Sequence, residues 1–203
     1  MIVEKIISGG QTGADRAGLD AAMELGLPVG GACPKGRKAE DGPIPVCYPL
    51  TELSSSSYAV RTERNVTDSD GTLILNIGTL SGGTAKTIEY ARRHGKPHLV
   101  VQLDCAATPD AVLAWLEQNR IKTLNIAGPR ESKHHGIQRQ AQVFLRQLFT
   151  LSKLDTDGSY SIEGEGLIKV RYDLNQLASR ITPENKHKFS DTDFGAPVGR
   201  EIL

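Results

Sequence analysis

The chain has 203 residues, enough for one α/β domain with an appendage and too few for two full domains. Lysine plus arginine and aspartate plus glutamate stand at 24 each, which excludes a global basic field for nucleic acid, and no run of like charge marks a membrane-binding surface. No apolar segment reaches the roughly 20 residues that span a bilayer, the start lacks a signal-peptide core, and Cys33, Cys47 and Cys105 are an odd number without metal-ligand spacing. The chain therefore reads as cytoplasmic and reduced, without a bound metal, membrane contact or direct DNA contact.

The first apolar run, Val3 to Ile7, predicts a strand, and the stretch Gly9-Gly10-Gln11-Thr12-Gly13-Ala14-Asp15 that follows opens a helical pattern. Three glycines in five residues allow a tight turn and close approach of a ligand. First-turn amides and the helix dipole would favour a phosphate there, so bare N–H groups are expected at this helix start. Asp15 and Arg16 sit in its first turn, where Asp15 can bond loop amides, take a ligand hydroxyl or simply stabilise the dipole.

A weaker strand, Pro28 to Ala32, leads into a long polar loop, Cys33 to Pro43, whose cations include Lys35 and Arg37. Ser54 to Ser57 can cap the next helix, on which Arg61 and Arg64 share a face, so that one can point to a ligand. The third strand, Thr72 to Ile77, ends in Gly78-Thr79-Leu80-Ser81-Gly82-Gly83-Thr84, a second glycine-rich helix start. His98 to Leu103 is the fourth strand, and a helix after Thr108-Pro109-Asp110 carries Trp115 as a packing anchor. Thr123 to Ala127 is the fifth, after which Gly128-Pro129-Arg130 can place a guanidinium on the same rim. Ile137, Ala141, Phe144, Leu145 and Leu148 make one apolar face on the last helix of this region.

Alternating strands and helices predict a three-layer α/β domain over residues 1–150, an open parallel sheet of about five strands with helices on both faces. Ligands in such sheets bind outside the carboxyl ends of the strands. The candidate ligand residues are therefore Gly9, Gly10, Gln11, Thr12, Gly13, Asp15, Lys35, Arg37, Arg61, Arg64, Ser81, Gly82, Gly83, Thr84 and Arg130. Neither glycine loop is a P-loop, since no Gly-Lys-Ser or Gly-Lys-Thr closes it, and neither has the full Gly-x-Gly-x-x-Gly spacing.

Ile7 to Asp15, Pro34 to Pro45, Tyr48-Pro49-Leu50, Arg61 to Val66, Asp68 to Thr72 and Gly82-Gly83-Thr84 together resemble the putative molybdenum carrier family of the Rossmann-like SLOG superfamily, over about residues 1–147. That resemblance implies a nucleotide-like or phosphorylated pterin ligand, the molybdenum cofactor included. It also implies kinship with the lysine-decarboxylase-like "lonely guy" phosphoribohydrolases, and so an alternative activity as a nucleotide N-glycosidase. Those enzymes follow their Gly-Gly-x-Gly-Thr motif with a glutamate, but Thr87 stands at that position here. Glu89 points about 200 degrees away around the helix. If the chain is an enzyme, Arg64 and Glu89 are its candidate catalytic groups, Arg64 resembling the hydrolases' helix arginine. A plain cofactor carrier with an inert tail is the remaining alternative. A homo-oligomer is expected.

Beyond residue 150 the pattern changes to a hairpin or linker, 151–171, and then a tail, 172–203, with a helix and an extended end. Ile181-Thr182-Pro183-Glu184-Asn185 and the terminal Gly199-Arg200-Glu201-Ile202-Leu203 resemble the toxin-binding segment of MazE-type antitoxins, which implies a MazF-type endoribonuclease as partner. Leu174, Leu177 and Ile181 form a narrow apolar stripe, and Asp191, Asp193 and Phe194 offer charge and an aromatic anchor.

Overall fold

The first aliphatic run becomes a short strand, β1 (Lys5–Ile7), with Ile6 and Ile7 buried. The computed structural model describes residues 3–105 and 108–154, and in it the four other runs form β2 (Val29–Gly30), β3 (Gly71–Asn76), β4 (His98–Gln102) and β5 (Thr123–Ala127). All join one parallel sheet in the order β2-β1-β5-β3-β4. Every residue of β3 is buried, as its unbroken apolar reading predicts for a strand covered on both faces. The weakly signalled β2 is only two residues long and lies at the sheet edge.

Counted from β5 instead of β1, the sheet order is 3-2-1-4-5, the order of doubly wound dinucleotide-binding sheets. The chain thus has that topology with its first strand moved to the end. Register is set by facing aliphatic pairs, Ile6 beside Leu124 and Leu73 beside Ile126.

Five helices complete the layers: α1 (Ala14–Glu24), α2 (Tyr58–Asp68), α3 (Gly82–Arg93), α4 (Pro109–Gln118) and α5 (Ile137–Leu154). α5 packs on α1 and α4, and α2 pairs with α3. Small residues on α1, Ala14, Ala17 and Ala21, let Phe144, Leu145 and Leu148 of α5 join Ile6, Leu124 and Ile126 in one core, each buried leucine or phenylalanine stabilising the fold by about 1.5–3 kcal/mol. The predicted apolar face of the last helix is entirely buried, and Trp115 packs against this core. α5 continues to Leu154, past the expected boundary at residue 150.

The segment between β2 and α2, which contains the polar stretch Cys33 to Pro43, is more ordered than a plain loop. It holds a parallel pair, Ala32–Cys33 with Thr51–Glu52, a 3-10 turn at Lys35–Arg37 and an antiparallel pair, Lys38–Ala39 with Gly42–Pro43. Leu19, Cys33, Ala39, Ile44, Tyr48 and Leu50 give it a small core of its own. Its charges are anchors: Asp41 takes two hydrogen bonds from Arg16 at 2.6 and 2.8 Å, and Glu40 accepts from Thr12 and Ser132. The hairpin and tail expected beyond residue 154, including Leu174, Leu177, Ile181, Asp191, Asp193 and Phe194, lie outside the described residues.

Candidate functional site

The chain leaves β5 for α5 on one face of the sheet and β3 for α3 on the other, so a crevice opens at their carboxyl ends. A cavity of about 280 Å³ occupies it. Four segments line the cavity: Gln11 and Asp15 after β1, Tyr58, Arg61, Thr62 and Asn65 on α2, Ser81–Thr84 and Thr87 at the start of α3, and Asn125–Arg130 with Lys133 at and after β5.

The start of α3 is the open anion cradle. The amides of Gly82, Gly83 and Thr84 precede the first intrahelical bond, and no acceptor among the described residues meets them. An added Cβ at Gly82 or Gly83 would find nothing within 4 Å, so free space lies over these donors. Lys133 Nζ spans the crevice, donating to Ser81 Oγ and, at 3.3 Å, to its carbonyl. Arg130 stands on the same rim, 3.6 Å from Glu40. Three donors and two cations around one void are a chemistry suited to a phosphate.

The start of α1 is bare only in part: among the described residues the amides of Gly9, Gly10 and Asp15 meet no acceptor, whereas those of Gln11 to Ala14 are paired. Gln11 N–H donates to Asp15 Oδ2, Thr12 N–H to Gln11 Oε1, Gly13 N–H to Gln138 Oε1 and Ala14 N–H to the Pro129 carbonyl. Gly13, at φ 80, fits because a Cβ there would lie 2.4 Å from the Pro129 carbonyl oxygen. This glycine loop is therefore packed against the loop after β5, which leaves Gly9, Gly10, Thr12 and Gly13 as wall supports behind the cavity lining. Gln11 and Asp15 of the same loop do face the cavity.

Asp15 is buried, and its Oδ2 is 3.0 Å from Arg61 Nη1. Burial pushes its carboxyl above the usual aspartate value, outweighing the opposing pull of Arg61 and the Gln11 N–H. Among the described residues Oδ1 has no hydrogen-bond partner. On Arg61, Nη1 alone is paired among the described residues, and Nε is buried without an acceptor. Oδ1 is thus left without a hydrogen bond among the described residues, on a side chain that lines the cavity.

Of the two arginines on α2, only Arg61 enters the crevice. Arg64 points to solvent and pairs with Asp68 at 2.7 Å, so the arginine at the site is one helical turn earlier than the resemblance implies. Arg37 is a staple: its guanidinium donates to the carbonyls of Ile44, Leu50, Pro45 and Tyr48, at 2.9 to 3.3 Å. Lys35 is exposed and lies away from the lining. Glu89 is exposed on α3, while Thr87 lines the cavity with its Oγ1 donating to the Gly83 carbonyl at 3.0 Å.

Sequence reasoning missed Tyr58, Thr62, Asn65, Asn125 and Lys133. A polar residue inside the buried run Thr123–Ala127 was the available signal for Asn125, which bonds Thr72 Oγ1 at 3.2 Å. Asn65 pairs with both peptide groups of Ala32, at 2.7 and 3.1 Å, and so fixes the cavity wall. Among the described residues no group of three or more His, Cys, Asp or Glu side chains is placed to hold a metal ion. No helix there is long and apolar enough to cross a membrane.

Residues 6–149 match the model of a family described as circularly permutated, in accord with a doubly wound sheet entered at its second strand. The chain belongs to the circularly permutated YpsA SLOG family. The SLOG match begins within β1 and ends in α5. The chain is also similar to the crystal structure, at 1.45 Å, of a protein from Syntrophus aciditrophicus SB named "putative molybdenum carrier protein". The two are 47% identical, the likeness covers 73% of this chain and 95% of that one, and the TM-score is 0.69. No match was found among curated proteins.

Proposed function

We propose that this SLOG domain binds a phosphorylated small molecule of nucleotide or pterin type, with its phosphate on the Gly82-Gly83-Thr84 amides and its body in the cavity. The observation that carries this reading is the set of three unpartnered α3 amides facing a void flanked by Arg61, Arg130 and Lys133. A cradle of three amides at α3 suits a ligand with a single phosphate group, and a phosphorylated pterin meets that condition. The name of the Syntrophus protein supports a molybdenum-cofactor-like cargo. A cavity of about 280 Å³ lies near the lower end of the range for small-molecule sites, which favours a mononucleotide-sized body over a dinucleotide.

Binding without hydrolysis is supported by Thr87, whose hydroxyl cannot act as the carboxylate that the hydrolases place there. Native mass spectrometry of the full chain from its own host tests the proposal. A retained phosphorylated nucleotide or pterin, lost in Arg61→Ala, is the expected outcome. Free base released from nucleoside monophosphates by the purified chain would replace it with the N-glycosidase reading.

For residues 172–203 we infer a partner-binding segment, on the strength of the Ile181–Asn185 and Gly199–Leu203 strings and because the family match stops at residue 149. Pull-down of a MazF-type endoribonuclease by the full chain, lost when the tail is removed, is expected; no capture would refute it.

A further inference from the structure

The structure assigns Asp15 a role in recognising the ligand's body: its free Oδ1 accepts a hydrogen bond from an O–H or N–H donor on a phosphomonoester held at α3. This inference rests on the phosphate reading above. A carboxylate offers about four lone-pair sites. Here two are used, both on Oδ2, by Gln11 N–H at 3.3 Å and Arg61 Nη1 at 3.0 Å. The side chain is 6% exposed, and since Asp15 lines the cavity, that exposure opens into it.

A buried charge short of donors is expensive, and that expense is recovered when a ligand supplies one. Arg61 alone does not restore the balance: burial still holds the carboxyl above its usual value. Of the three cations that line the cavity, Arg61 is tied to Asp15, and Lys133 stands beside Ser81 at the start of α3. Asp15 is thus the one acidic side chain among the described residues lining a cavity whose other charges are basic. Such polarity selects a phosphomonoester whose other end carries donors, either the hydroxyls of a sugar or the N–H edge of a guanine- or pterin-type ring. It selects against one whose body is a plain hydrocarbon.

Calorimetric titration of the full chain with inorganic phosphate, ribose 5-phosphate, GMP and pentyl phosphate tests this. Ribose 5-phosphate or GMP should bind the wild type about tenfold or more tighter than pentyl phosphate. Tight ribose 5-phosphate assigns the donor to hydroxyls, and a gain restricted to GMP assigns it to the ring edge. Asp15→Asn should reduce that preference to within about threefold while inorganic phosphate stays within about twofold of wild type. Equal binding of all three esters by the wild type overturns the inference even if the variant does not fold. Equal losses for phosphate and esters in Asp15→Asn also overturn it, leaving Asp15 only to hold Arg61. Failure of every phosphate compound to bind the wild type would instead defeat the phosphate reading itself.

Discussion

Arg61 reaches Asp15 by lying over the bare backbone of Gly9: a Cβ at Gly9 would be 1.8 Å from Nη1, the same atom that contacts Asp15 Oδ2 at 3.0 Å. The first glycine of the loop thus makes room for a side chain of the protein itself. Gly9→Ala should displace the flexible end of Arg61 and reproduce Arg61→Ala. Both variants should weaken binding of a phosphomonoester about tenfold. Arg61→Ala should also destabilise the fold by roughly 3 kcal/mol, because it strands the buried Asp15 carboxylate. Calorimetry and urea midpoints measure the two effects, and unchanged binding in Gly9→Ala would separate the glycine from the arginine.

Arg37 and Arg64 should behave in the opposite way. Loss of four carbonyl partners makes Arg37→Ala destabilising by about 2 kcal/mol. Its effect on ligand affinity should be below twofold, since the guanidinium is turned away from the crevice. Arg64→Ala removes one exposed i,i+4 pair and should shift stability by no more than about 0.5 kcal/mol. Affinity loss in either variant, in the same calorimetric assay, would redraw the site.

Gly83→Ala separates stability from binding at the cradle. Nothing lies within 4 Å of an added methyl, and alanine is the better helix former, so the melting temperature should hold or rise by the equivalent of about 0.5–1 kcal/mol. The methyl occupies space over the amide donors, so phosphate affinity should fall. A variant that is both more stable and weaker in binding is the expected signature.

Acid should loosen the segment between β2 and α2 through Glu40. Burial alone would raise this carboxyl, but hydrogen bonds from Ser132 and Thr12, with Arg130 nearby, prevail and hold it below its ordinary 4.5. A depressed acid stabilises the fold while ionised: the contribution is full above the unfolded value and disappears as pH falls through the native one. Stability owed to Glu40 should therefore be flat from neutrality to about pH 5 and decline below it. Glu40→Gln should lower stability at neutral pH by about 1–2 kcal/mol and flatten the acid limb. Denaturation midpoints across pH check this; an acid limb as steep as wild type would exclude Glu40 as its source.

Strands and helices were legible because buried parallel strands leave unbroken aliphatic runs: Thr72–Ile77 was expected and Gly71–Asn76 formed. The second glycine-rich helix start was legible for the same local reason. Which helix start remained more open was not, because two acceptors of the first, the Pro129 carbonyl and Gln138, are more than 100 residues away in the chain. Arg37 reads as a surface cation until its carbonyl partners are in place. Lys133 offered no pattern, since a lone lysine in a turn gains meaning only from Ser81 across the crevice.

The central claim, that phosphate sits on α3 and not on α1, is tested most directly by amide chemical shifts of isotope-labelled full-length protein titrated with a phosphomonoester such as GMP. Gly82, Gly83 and Thr84 should move with one saturating isotherm while Thr12, Gly13 and Ala14, already bonded, stay within noise. Saturable shifts at Thr12 to Ala14 with none at Gly82 to Thr84 would contradict the account.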